Sequence, residues 1–165
     1  MSVIISGNQQ RALLMGVRVQ TAAITCPAST STAIFTVAGG RVIVTSLIGE
    51  VTTAIQNQSC NFNITFDPTG AGAVGDVCAA TQAQADAVGT FYSVTGVQAG
   101  LLSAQTAGGS EVPTHVLAPV GAPQGLGFMV PAGSMLWKTS ATNTGAVQWT
   151  LTYIPLDDGA SVVAA

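Results

Sequence analysis

Val147-Gln148-Trp149-Thr150-Leu151-Thr152-Tyr153 is the stretch on which the fold turns. Its odd-numbered positions are large and apolar, and Gln148, Thr150 and Thr152 fill the places between. Successive side chains of a strand point to opposite faces, so this alternation buries one face and turns the other toward water or a partner. Asn143-Thr144-Gly145 supplies the reversal before it, since Asn and Gly tolerate positive φ. Upstream, Val130-Pro131-Ala132-Gly133 reads as a turn into a strand that carries Met135 and Trp137, with Trp137 inward and Lys138 outward.

The same texture extends through the chain. Segments rich in Val, Ile, Thr and aromatics alternate with Gly, Pro, Asn and Ser clusters, which predicts strands over 17–25, 33–37, 41–55, 59–66, 90–95, 114–120, 134–142 and 146–155. In 41–55, Ile43, Leu47, Val51 and Ile55 recur every four residues, as on a helix stripe. The β-branched residues between them, together with Gly49, favour a long strand with a bulge at Gly49. Only 79–88, where Ala, Gln and Asp cluster, suggests a helical turn. Small-residue stretches at 68–75, 104–111 and 121–127 read as loops.

The expected architecture is all-β: one antiparallel β-sandwich or jelly-roll-like domain of about eight strands. It spans 17–160, preceded by an extended N-terminal arm (1–16) and followed by a C-terminal tail (161–165). The expected core holds Ile43, Leu47, Val51, Phe91, Trp137, Trp149, Leu151 and Tyr153. In the arm, Val3, Ile4, Ile5, Leu13 and Leu14 lack a reason to face water, which makes them candidate partner contacts.

Charge decides what surface such a domain presents. Asp, Glu, Lys and Arg make up 7% of the 165 residues, against roughly 25% in ordinary soluble domains. A surface of Thr, Ser, Gln, Asn, Ala and Gly lacks like-charge repulsion, and it suits a subunit covered by neighbours. The basic residues Arg11, Arg18, Arg41 and Lys138 are scattered and the net charge is −3, so direct nucleic-acid binding is not expected. No apolar run approaches the length of about 20 residues of a spanning helix. Arg11 sits inside the first apolar segment rather than ahead of it, the wrong order for a secretory signal. Neither a membrane anchor nor export is expected.

Motifs of chemistry are sparse. Gly70-Ala71-Gly72-Ala73-Val74-Gly75 spells the dinucleotide fingerprint, but little helical sequence follows to hold a pyrophosphate. His115 is the sole histidine, and no Gly-x-Ser-x-Gly elbow accompanies it. Cys26, Cys60 and Cys78 are an odd set without metal-ligand spacing; a Cys60–Cys78 bridge is conceivable, and buried free thiols are favoured. Glu50 and Glu111 are isolated, and Asp157-Asp158-Gly159 reads as a polar turn. Lys138, the sole lysine, is turned outward by alternation, whereas a crosslinking nucleophile needs desolvation and a nearby acid. Asn57-Gln58-Ser59 and Asn63-Ile64-Thr65 match the glycosylation triplet, as Thr- and Ser-rich chains do by chance. No catalytic residue, cofactor or metal is therefore expected.

Three stretches resemble segments of small virion proteins of tailed bacteriophages. They are Arg41-Val42-Ile43-Val44-Thr45-Ser46-Leu47-Ile48-Gly49-Glu50-Val51-Thr52-Thr53, the ending 141–160, and Asp76-Val77-Cys78-Ala79-Ala80 followed by Gly89-Thr90-Phe91-Tyr92-Ser93-Val94-Thr95-Gly96. The resemblance lies in texture and order over most of 41–160, and no matched residue is catalytic. It implies a capsid decoration (cement) protein, β-rich and homotrimeric, made in the bacterial host cytoplasm. Such a protein is seated on the capsid exterior of the virion, where it clamps major capsid protein subunits. The alternatives are a tail or head-fibre subunit with a receptor- or glycan-binding surface, and a secreted adhesin-like β-sandwich.

Overall fold

A computed structural model describes residues 16–70, 72–94, 102–104 and 127–165. Among them the chain forms strands and turns without a helix. The strands are β1 (Val17–Thr25), β2 (Ser31–Ala38), β3 (Val42–Thr53), β4 (Cys60–Pro68), β5 (Gly75–Asp76), β6 (Thr81–Ala83), β7 (Phe91–Val94), β8 (Leu102–Ala104), β9 (Phe128–Val130), β10 (Gly133–Thr139), β11 (Ala146–Pro155) and β12 (Ser161–Ala164). All pairings are antiparallel, and they make two six-stranded sheets. In the first, the order is β1-β11-β3-β7-β8, with β9 also against β3; in the second it is β12-β2-β10-β4-β5, with β6 also against β4. The inner faces share one apolar core, so the fold is the expected β-sandwich.

The sheets follow one plan. In each, a long strand (β3 or β4) has a long neighbour on one side and two short strands, end to end, on the other. On β3, β7 covers Ile48–Glu50 and β9 covers Val42–Val44. Gly127 makes the entry into β9 feasible: at φ +113° its backbone passes so close that a Cβ would lie 1.9 Å from the Val44 carbonyl oxygen.

β11 carries out the alternation of its sequence. Val147, Trp149, Leu151 and Tyr153 are buried, and the residues between are half-buried on the outer face. β3 departs from expectation. Its register against β11 slips around Thr45 and around Thr52, while Gly49 pairs in register with Trp149. The irregularities lie on either side of the glycine. The slip at Thr45 changes the parity of burial: Val42 and Val44 point inward before it, and Leu47, Gly49 and Val51 after it. Ile43, expected in the core, therefore lies half-buried on the outer face between Ile154 and Met129. Gly49 serves a different purpose, because a Cβ there would meet Trp149 Cζ3 at 2.7 Å.

Two further expectations change. Residues 79–88 contain β6 and turns in place of a helical turn, since the edge of β4 recruits Thr81–Ala83 as a strand. The tail 161–165 contains β12, with Val162 buried against the sheet beside β2. The arm residues Val3, Ile4, Ile5, Leu13 and Leu14, the strand expected over 114–120, His115 and Glu111 lie outside the described residues.

Across the core, four aromatic rings interlock edge to face. Trp149 meets Trp137 at 5.5 Å between centroids, Trp137 meets Phe62 at 5.0 Å, and Phe62 meets Tyr92 at 5.3 Å. Trp149 and Tyr92 come from one sheet and Trp137 and Phe62 from the other, so this column joins the layers.

Candidate binding face

Antiparallel partners place their side chains on the same face of a sheet. Phe91 lies opposite Glu50 and Tyr92 opposite Gly49, so Tyr92 goes into the core and Phe91 onto the outer face, half-buried. This corrects the core assignment of Phe91. Adjacent aromatics on one strand take opposite sides, and only the register decides which is inside.

On that outer face β1, β11, β3 and β7 form a shallow groove of about 320 Å³. β1 contributes Arg18 and Gln20, and β11 contributes Gln148, Thr150 and Thr152. The far side comes from Ser46, Ile48 and Glu50 of β3 and from the Phe91 ring. Two of these side chains are held in place. Arg18 Nη2 donates to Gln20 Oε1 at 3.0 Å, and Gln148 Nε2 donates to the Thr21 carbonyl at 3.0 Å. The second bond exists because β1 bulges between Gln20 and Ala23. There Thr21 turns inward and its hydroxyl oxygen accepts the Trp149 N–H. Glu50 is exposed and forms no ion pair among the described residues. The groove thus offers amides, hydroxyls, one cation, one anion, one aliphatic side chain and one aromatic ring. It lacks the paired acid–base geometry of a hydrolytic site.

Several other polar groups are tied into the scaffold. Arg41 grips Asp157 through two side-chain bonds of 2.9 and 2.7 Å and its own backbone N–H at 2.7 Å. These bonds hold the Asp157 carboxyl down at about 2. This gives the 157–159 turn a structural job, and Ala160 N–H closes it on the Asp157 carbonyl. Lys138 is exposed beside Trp137, as alternation requires. It is level with Asn63, whose amide donates to Asp76 at 3.0 Å. Asn57, Gln84, Gln82 and Ser59 form an exposed chain of side-chain hydrogen bonds. Gly75, the last letter of the dinucleotide fingerprint, opens β5 rather than a helix, so the motif lacks the helix terminus it needs.

The three cysteines are free and buried. Burial pushes the Cys26 thiol up to about 12 and raises that of Cys78, so neither is a ready nucleophile. No group of three or more His, Cys, Asp or Glu suited to a metal occurs among the described residues. No helix there is long and apolar enough to cross a membrane.

Asp86 is the one buried acidic group among the described residues, 1% exposed. Tyr92 Oη donates to its Oδ2 at 2.5 Å, while Oδ1 has no partner among the described residues. Burial raises the carboxyl's pKa, and the tyrosine hydroxyl is raised by burial and by this bond. Sequence reading passed over Asp86 and Tyr92, and also the groove, which four strands assemble from distant segments. The visible signal for the groove was the Gln148, Thr150, Thr152 row.

Comparisons with protein-family models, with curated proteins and with solved structures give no match.

Proposed function

We propose that the chain is a non-enzymatic structural subunit of a virus particle. In this reading it is a decoration protein that binds the outer surface of a tailed-phage capsid as a homotrimer, contacts the major capsid protein and stabilises the shell. The observation that carries the reading is the charge-poor exterior. On the outward rows Thr, Ser, Gln and Asn are mixed with apolar residues such as Ile43, Ile48, Phe91, Met129 and Ile154, and 4 basic and 7 acidic residues serve the whole chain. A clamp of this kind holds by wide, shape-matched apolar and backbone contact, with charge in a minor part. The resemblance of the segments in 41–160 to small virion proteins supports the phage assignment.

The test is the stoichiometry and location of the protein in purified particles, by mass spectrometry and electron microscopy. Expected are stoichiometric copies on the capsid exterior that stay attached between about 50 mM and 500 mM NaCl, because screening weakens only charged contacts. Absence from heads, or release over that range, contradicts the reading.

A further inference from the structure

We propose that the groove on the outer face of β1, β11, β3 and β7 binds a neutral glycan. The argument begins with charge. Arg18 and Glu50 offset one another, and the remaining lining is uncharged, so neither an anionic nor a cationic ligand is favoured. Size comes next. A groove of about 320 Å³ is at the lower end of small-ligand sites, and four strands spaced about 4.8 Å apart give a floor roughly 14 Å wide, room for two sugar rings.

Chemistry narrows the class further. A pyranose has an apolar face of C–H groups and a rim of hydroxyls that both donate and accept. Phe91, half-buried on the outer face and lining the groove, offers its ring to the first. Gln148, Thr150 and Glu50 offer mixed acceptors and donors to the second. Gln148 is already anchored to the Thr21 carbonyl through Nε2, so its Oε1 stays available without an ordering cost at binding. Within the groove only Ile48 and Phe91 are apolar, less than the apolar centre a protein partner asks for; Ile43, Met129 and Ile154 lie beyond it on the same face.

The proposal is independent of the shell reading, since it concerns the isolated chain. The probes are maltohexaose, cellohexaose and chitohexaose, titrated into the full-length protein by saturation-transfer NMR and calorimetry. At least one should bind saturably. Phe91→Ala should weaken that binding at least about tenfold, the equivalent of one aromatic contact. Glu50→Gln, an exposed change that leaves the core alone, should weaken it severalfold while the near-ultraviolet dichroism stays unchanged. Lys138→Ala, on the opposite sheet, should have no effect. Lack of saturable binding by all three oligosaccharides overturns the proposal. So does binding that survives both groove substitutions, or capture of the same face by a second copy of the chain.

Discussion

The middle of the sandwich and its turn end solve the same problem with different materials. In the middle, Trp149, Trp137, Phe62 and Tyr92 interlock, and the layers are joined by apolar contact alone. At the end near residues 139–145, buried polar side chains do the joining. Asn143 Oδ1 accepts the N–H groups of Gln56 and Gly145, and Thr139 donates its hydroxyl to the Pro27 carbonyl. Asp86 follows Ala85, which takes a φ of 57°, and receives Tyr92 where the chain crosses between sheets. The difference teaches that turns with buried backbone need polar side chains as plugs, whereas strands bury their backbone in the ladder and can pack with hydrocarbon.

The comparison breaks first at the column. Trp149→Ala should cost about 3–5 kcal/mol in urea or thermal unfolding, the range for emptying a large core site. A loss under about 1 kcal/mol would mean that the rings do not hold the layers together.

Gly49→Ala sharpens the same point from the other side. The new methyl meets the Trp149 ring, and overpacking of this kind costs about 1–3 kcal/mol. In a Trp149→Leu background the methyl should be tolerated better, and a double-mutant cycle measures the relief. Equal cost in both backgrounds would place the strain elsewhere.

The smallest effect belongs to the polar end. The folded-state pKa of Asp86 lies above its ordinary value near 3.8. Its contribution is therefore most favourable when the group is protonated in both states, and declines as pH rises from that value through the folded-state pKa. Asp86→Asn removes this titration. Wild-type stability should fall relative to the variant as pH rises from the ordinary carboxylate value through the folded-state pKa, then run parallel above it. Parallel curves throughout, by denaturant titration from pH 3 upward, would show that Asp86 is not desolvated as its burial indicates.

What could be read from sequence follows from these materials. Alternation in β10 and β11 is a local pattern, so Trp137, Trp149, Leu151 and Tyr153 were found. Ile43 was misplaced because the slip at Thr45 falls among Val, Thr and Ser residues that accept either face. Phe91 and Tyr92 differ by one hydroxyl, and their assignment depends on pairing with a strand some forty residues earlier. Asp86 and Asn143 carry the letters of exposed turns, and their burial comes from the connections they bridge. The groove depends on four strands in register, which no local window displays.

The shared edge of β3 has a consequence of its own. β7 and β9 run in one direction along it, and Ser93 and Phe128 pair with Ile48 and Val44, so only Thr45, Ser46 and Leu47 separate the two footholds. They amount to one strand cut open, its severed ends on the order of 10 Å apart. Both footholds are thus tied to one strand, and the sheet continues past β7 through β8, so the alignment of the layers at either end of this edge rests on β3.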